Sequence, residues 1–211
     1  MKKIISMLLM AAMMLSQASV FATNNKTMAA EELEKYGIVT RNQLGGLTIE
    51  GPVTRAMMAK MIVFMLDYSE DSKNVGFTDV PTDHWASSYI AQATDLGIIN
   101  GMGDGTFAPD ECVTYQQAVK MIVCALGYSK YAERLGGYPT GYVMTGTSLG
   151  IMPQKAVLNE AVDRGELMIM LATALDIPIM VMTGFGENDS YKVLDGKNGE
   201  HLVTLRTKLE E

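Results

Sequence analysis

The chain has 211 residues, a formal net charge of −7 and 48% hydrophobic residues. This acidic balance argues against a nucleic-acid partner and against electrostatic binding to anionic membranes, because both need a basic surface. An anionic ligand would need cations that are concentrated locally.

Residues 1–22 are predicted to be a secretory signal peptide. Lys2 and Lys3 precede an apolar run, and a small-residue cleavage site follows at Ala22. The apolar run is too short for a typical membrane-spanning helix. We therefore expect an exported protein with no membrane segment after cleavage, and loss of the two lysines changes the net charge from −7 to −9. An uncleaved membrane anchor is the alternative.

An internal repeat occupies the chain after the predicted signal peptide. Each copy has a glycine between apolar residues, then a helix-capping residue, then a leucine twelve positions after the cap. The glycines are Gly37, Gly97 and Gly150, the caps are Thr54, Thr114 and Asp163, and the leucines are Leu66, Leu126 and Leu175. The copies are predicted to span residues 23–70, 75–130 and 131–180.

The second copy indicates that each unit is a helix, a loop and a helix. Apolar residues at helical spacing predict a first helix that Asp83 caps and Gly97 ends. The loop that follows is rich in Gly, Asp and Pro, which is typical of tight turns. The second helix then begins after Thr114.

Capping boxes are predicted at two of the second helices. Thr114 with Gln117, and Asp163 with Glu166, pair a capping side chain with a residue three positions later that can bond back to the cap. One such hairpin cannot bury its apolar face alone, whereas three can. The expected fold is therefore all-α, with three helix–loop–helix units in a compact bundle.

Residues 181–211 form a tail with a different pattern. Between Tyr191 and Leu205, apolar residues alternate around Asp-Gly and Asn-Gly steps, which predicts a short β-hairpin. Because two strands alone are marginally stable, this hairpin either packs on the bundle or belongs to a further domain.

The second copy resembles the S-layer homology family. It has that family's Phe-x-Asp-Val opening, His-Trp-Ala helix start, Gly-Ile-Ile-x-Gly turn and Gly-Asp-Gly-Thr-Phe-x-Pro loop, at Phe77, Asp79, Val80, His84, Trp85, Gly97, Asp104, Gly105, Phe107 and Pro109. The other two copies match more loosely. The resemblance implies three repeats in a pseudo-threefold helical bundle, in a protein exported to the cell wall or S-layer of a Gram-positive bacterium.

The resemblance also implies a ligand and a site. S-layer homology repeats bind secondary cell-wall polysaccharide, often bearing pyruvate ketals, in grooves between repeats, and an arginine after the helix cap reaches the ketal carboxylate. Arg55 and Arg164 match that arginine, and a guanidinium pairs with a carboxylate through two hydrogen bonds. Trp85 offers a ring to stack on a sugar, and Asp104 belongs to the matching loop. The second copy has Tyr115 instead of arginine, so we expect its groove to be degenerate.

The position of these arginines gives a physical reason for anion binding. The first turn of a helix has backbone N–H groups without intrahelical partners and lies at the positive end of the helix dipole. We expect these N–H groups to favour an anion beside Arg55 and Arg164. The alternative is that both arginines are solvated surface residues.

The sequence predicts no catalytic function, no cofactor and no metal site. G-x-S-x-G and H-E-x-x-H motifs are absent, and His84 and His201 lie on separate units. The loop from Asn100 to Glu111 resembles a calcium loop at four positions, but Met102 stands where an oxygen ligand is needed. Besides polysaccharide anchoring, a structural S-layer-type protein that assembles with other surface-layer subunits is the second predicted function.

Overall fold

The computed structural model describes residues 23–68, 76–183, 191–197 and 201–211. The predicted signal peptide, residues 1–22, lies outside this part of the chain. The described residues are mostly helical and include one short antiparallel strand pair, which confirms the predicted all-α class with a small β element. Within the same residues, no helix has both the length and the apolar composition needed to cross a bilayer.

Eight helices and two strands are present in the described residues. The helices are α1 (residues 23–35), α2 (Arg55–Met65), α3 (Ser87–Asp95), α4 (Tyr115–Ala125), α5 (Ser129–Arg134), α6 (Thr140–Ser148), α7 (Arg164–Leu175) and α8 (Leu205–Leu209), and the strands are β1 (Met180–Met182) and β2 (Tyr191–Val193). The first sequence copy provides α1 and α2, the second α3 and α4, and the third α6 and α7.

A glycine ends the first helix of each copy, as predicted. Gly37, Gly97 and Gly150 have φ values of 71°, 69° and 75°. Residues with a Cβ atom adopt this left-handed conformation only at a cost, so glycine is the favoured residue just after a helix.

The predicted caps of the second helices are present, but one capping box is incomplete. Thr114 and Gln117 bond reciprocally at the start of α4. At α7, Asp163 accepts a hydrogen bond from the Glu166 amide at 3.3 Å. The Glu166 carboxylate accepts from the Tyr115 hydroxyl instead of bonding back to the cap.

The prediction that Asp83 caps α3 is wrong. The helix begins at Ser87, its N-cap is Ala86, and no side chain bonds the cap. The preceding residues form hydrogen-bonded turns, in which the His84 amide donates to Pro81 O at 2.9 Å and His84 Nδ1 accepts from the Ala86 amide at 3.2 Å. These local bonds delay the start of the helix by one turn.

The short segments before α2, α4 and α7 pair with one another. Isolated antiparallel bridges join Pro52 to Asp163, Thr54 to Cys112, and Thr114 to Ala161. Each of the three segments therefore pairs with the other two. At their centres lie three fully buried valines, Val53, Val113 and Val162.

Each second helix also donates its first backbone N–H to the loop of another copy. The bonds are Arg55 N to Glu111 O at 2.9 Å, Tyr115 N to Glu160 O at 3.1 Å, and Arg164 N to Gly51 O at 2.8 Å. The expectation that these first-turn N–H groups are unpaired is therefore wrong. Their hydrogen bonds join the three copies, so these three N–H groups are not available to an anion beside the arginines.

Helix packing also crosses from copy to copy. The second helix of the first copy, α2, packs against α3, and α4 packs against α6. Lys26 of α1 forms a 2.6 Å ion pair with Asp163, the cap of α7. In each case the second helix of one copy meets the first helix of another copy, so no single copy has a complete core.

The tail packs on the bundle, and its hairpin differs from the prediction. Strand β1 pairs with β2, and the Met180 amide donates to Leu126 O at 2.9 Å. The predicted second strand forms isolated bridges instead of a regular strand, and these join Asp195 to Leu202 and Pro178 to Thr204. Thr204 forms a capping box that starts α8, which takes the following residues out of the strand.

Arg206 of α8 fastens the tail to two other helices. Its Nε and Nη2 donate to the Asp176 carboxylate, just after α7, at 2.5 and 2.8 Å. Nη2 also lies 2.6 Å from the Glu32 carboxylate of α1, and Nη1 donates to the Tyr36 hydroxyl at 3.1 Å. The side chain is 22% exposed, so these contacts are partly shielded from water.

Arg206→Ala is expected to lower the free energy of unfolding by about 1–2 kcal/mol, because three acceptors lose a charged donor. The hydrogen bond with Arg206 holds the pKa of Asp176 below its ordinary value of 3.8. The pair therefore stabilises the fold above that pH, and the contribution is lost as the pH falls through the folded pKa. Urea denaturation from neutral to acid pH should show a weaker acid dependence in the variant. Lys208→Ala removes the same charge from α8 and should change little. Equal losses of stability in the two variants would contradict the role of Arg206 in fastening the tail.

Candidate functional site

Two grooves lie beside second helices and contain an arginine from another copy. The first groove, about 300 Å³, is lined by the loop after α1, by Lys60 of α2 and by Arg164 of α7. The second groove, about 290 Å³, is lined by residues 98–102, by Lys120 of α4, by Arg55 of α2 and by Tyr138.

The cations of these grooves occupy matching positions in the repeat. Arg55 and Arg164 each directly follow a helix cap, and Lys60 and Lys120 are each the sixth residue after a cap. The lysines were not predicted as site residues. Their signal was present in the sequence, since both begin the repeated Lys-Met-Ile-Val stretch.

Each of the two lysines lies near two aromatic rings. Lys60 Nζ lies 5.6 Å from the Phe64 ring centre and 5.5 Å from that of Tyr89. Lys120 Nζ lies 5.2 and 5.8 Å from the ring centres of Tyr138 and Tyr142. Such contacts hold an ammonium group by cation–π attraction while leaving it able to donate hydrogen bonds.

Arg55 is buried against the loop of the second copy, with only 4% of its surface exposed. Its Nε donates to Phe107 O at 2.8 Å and its Nη2 to Asn100 O at 3.1 Å. The guanidinium carbon lies 4.5 Å from the centre of the Phe107 ring. Burial lowers the pKa of Arg55, and the two carbonyl acceptors compensate part of this desolvation.

Arg164 is less constrained in the first groove. It is half-buried, and its Nη2 lies 3.2 Å from Pro52 O and 3.8 Å from Met57 Sδ. Its Nε is buried and has no hydrogen-bond partner among the described residues. The two predicted arginines therefore lie in matching grooves but in different local environments.

A third groove of about 290 Å³ lies against α7 and has a different character. Its lining includes Asn25, Glu166 and Ile169. Ile169 is the sixth residue after the cap, where the other copies have lysine, and Asn25 lies twelve residues before the glycine that ends a first helix, where they have Trp85 and Tyr138.

Tyr115 stands where an arginine would serve this third groove. Its hydroxyl donates to Glu166, and burial together with this carboxylate raises the pKa of Tyr115. The third groove therefore lacks the arginine directly after a cap and the lysine six residues after a cap, and its lining cation, Lys26, is paired with Asp163. The sequence-based prediction named only Tyr115, but Ile169 and Asn25 also differ from the matching residues of the other copies.

Trp85 and Asp104, the other predicted ligand contacts, lie outside the residues that line the first two grooves. Trp85 is 52% exposed, with its ring centre 5.7 Å from that of His84. The Asp104 carboxylate accepts from the Thr106 amide at 3.0 Å and from its hydroxyl at 2.6 Å, so it stabilises the turn of its own loop.

Asp79 positions the loop that holds Arg55. Its carboxylate accepts from the Phe107 amide at 2.8 Å and the Ala108 amide at 2.7 Å. Burial opposes its ionisation, but these backbone N–H groups outweigh burial and lower the pKa of Asp79. Ala108 has a φ of 60°, a strained conformation for a residue other than glycine, and Asp79 stabilises it.

Residues 76–119 match the family model of the S-layer homology domain. The segment includes Asp79, the loop that binds Arg55, and the first turns of α4. The chain thus carries an S-layer homology domain, as the motifs of the second copy predicted.

Relatives along most of the chain are surface and cell-wall proteins by name. The chain is 32% identical to "Cell surface protein" of Thermoanaerobacter kivui over 77% of its length and 20% of that protein. It is 29% identical to "Middle cell wall protein" of Brevibacillus brevis, over 77% of its length and 16% of that protein. It is 26% identical to "Cellulosome-anchoring protein" of Acetivibrio thermocellus, over 62% of its length and 36% of that protein. The chain therefore spans a minor part of each of these proteins.

Asp79→Ala is expected to lower the free energy of unfolding by about 2 kcal/mol, because two backbone N–H groups lose their acceptor. Asp104→Ala is the matched control in the same copy and should cost less, since Asp104 is exposed and bonds only Thr106. Chemical denaturation monitored by circular dichroism measures both. A cost of Asp104→Ala as large as that of Asp79→Ala would show that the loop is not held from Asp79.

Proposed function

We propose that the chain is a cell-wall anchoring module of an exported surface protein, which binds secondary cell-wall polysaccharide in grooves between three S-layer homology repeats. The mutual pairing of the three cap segments, together with the packing of helices from copy to copy, supports a pseudo-threefold bundle of three repeats. Such an arrangement forms a groove wherever two copies meet. The names of the relatives support a location at the cell surface of a Gram-positive bacterium.

The observation that carries the proposal is the repeated placement of an arginine and a lysine in a groove of an acidic protein. The chain has a net charge of −7, yet both described grooves that contain an arginine also contain a lysine. A local pair of cations attracts an anionic ligand despite the unfavourable overall charge. The aromatic side chains beside the lysines suit the flat apolar face of a sugar ring.

A carboxylate on the polysaccharide, such as that of a pyruvate ketal, fits this chemistry. Arginine binds the planar carboxylate through paired hydrogen bonds, and lysine adds a point charge. The first backbone N–H of each of α2, α4 and α7 is already bonded within the protein. We therefore expect side chains to provide most of the anion contacts, and binding should weaken as salt rises.

Binding to purified wall sacculi tests this proposal. We expect the protein to sediment with sacculi and to lose binding when the polysaccharide is removed with hydrofluoric acid. Arg164→Glu should weaken binding by roughly ten-fold or more, because a like charge then faces the carboxylate. Arg134→Glu, an exposed charge reversal on α5 away from the grooves, is the control.

Binding that ignores the polysaccharide and is unaffected by Arg164→Glu would contradict the anchoring function. In that case, self-association of the protein in solution would favour the second predicted function, in which the repeats assemble with other surface-layer subunits.

Tyr115→Arg alone is expected to give no gain in binding. The new guanidinium would pair with Glu166, the present partner of Tyr115, and the groove would still have Ile169 and Asn25 instead of a lysine and an aromatic ring. A combined Tyr115→Arg, Glu166→Gln and Ile169→Lys variant supplies the cations without the competing carboxylate and should bind sacculi more tightly. A gain from Tyr115→Arg alone would show that the arginine suffices.

A further inference from the structure

We infer that the two arginine grooves are specialised: Arg164 and Lys60 of the first groove bind the ligand carboxylate, whereas Arg55 acts as a positioning residue that fixes the loop of the second groove. This inference rests on the proposed function and assigns its carboxylate contact to one of the two grooves.

Arg55 is fixed within the protein by two hydrogen bonds, by stacking on a ring and by burial. Two of its nitrogens donate to Phe107 O and Asn100 O, its flat face covers the Phe107 ring, and 4% of its surface is exposed. A ligand carboxylate that sought a paired contact would have to replace a carbonyl acceptor in a buried position. The loop would then lose the contact that joins it to α2.

Arg164, in contrast, retains a donor that the protein does not satisfy. Its Nε is buried without an acceptor among the described residues, and one of the contacts of Nη2 is a thioether sulfur, which is a weak acceptor. A carboxylate that enters the first groove meets a guanidinium whose Nε still lacks an acceptor. Binding at this guanidinium competes with fewer protein contacts than binding at Arg55.

The repeat explains why the arginines differ. Phe107 lies ten residues after Gly97, and the matching residue after Gly37 is Leu47. Leucine has no aromatic face, so Arg164 has no counterpart of the stacking that holds Arg55. Arg41 also lines the first groove, but two hydrogen bonds of 2.7 Å tie it to Glu34.

The two lysines differ in the same way as the arginines, because the lysine of the second groove makes more contacts within the protein. With the Asn100 amide oriented so that both its groups are satisfied, its oxygen accepts from Lys120 Nζ at 3.1 Å. Lys60 has only its cation–π contacts among the described residues. The two cations of the second groove are therefore held by more protein contacts than the two cations of the first groove.

Charge-preserving variants test the inference with a defined probe, a methyl N-acetylhexosaminide that carries a 4,6-pyruvate ketal. The same glycoside without the ketal is the ligand control. Isothermal titration calorimetry and thermal denaturation give affinity and stability separately.

Arg164→Lys should weaken binding by about ten-fold or more and shift Tm by less than about 2 °C. Arg55→Lys should lower Tm by about 4 °C or more, and weaken binding less than about three-fold at a temperature where it is folded.

Lys60→Ala and Lys120→Ala are a second pair of variants, at two residues that are not part of the buried core. Lys60→Ala should weaken binding of the probe by about ten-fold and Lys120→Ala by less than about three-fold. Equal losses within either pair, or a larger loss for the Arg55 or Lys120 variant, overturn the specialisation. Binding of the unaltered protein to sacculi but not to the ketal glycoside also overturns it. Failure to bind sacculi at all overturns the proposed function itself.

Discussion

The structure depends on the three hydrogen bonds that run from the first turn of each second helix to the loop of another copy. Together with the bridges between the cap segments, they close a cycle in which every copy is both donor and acceptor. These bonds satisfy backbone groups that would otherwise be orphaned at the helix starts. They also set the distance between neighbouring copies, and hence the width of each groove.

This constraint explains why the arginines lie in grooves. A residue directly after the cap has its backbone N–H bonded to another copy, so its side chain is directed to the boundary between copies. Arg55 meets the loop of the second copy there, and Arg164 meets that of the first. The residue that the loop presents then decides how tightly each arginine is held. Phe107 holds Arg55 by stacking, whereas Leu47 leaves Arg164 less restrained.

Much of this organisation was predictable from local sequence signals. The helix-ending glycines, the caps of α2, α4 and α7 and the capping box at Thr114 depend on neighbours within four residues, and all were found where predicted. Asp83 failed as a cap because side-chain and turn hydrogen bonds around His84 compete with the helix. The pairing of Tyr115 with Glu166, and the loss of Lys and aromatic side chains from the same groove, link residues far apart in sequence. Only an assembled structure brings those positions together.

The contacts of Arg206 give the tail a mechanical role in any protein that is held at a surface and pulled. A force that enters the bundle through α8 reaches Asp176 beside α7 and Glu32 of α1 at the same time. Asp176 belongs to the third copy and Glu32 to the first, so the force acts on two of the three copies at once. Contacts that are loaded together must break together, and this slows forced unfolding compared with contacts that peel apart one after another.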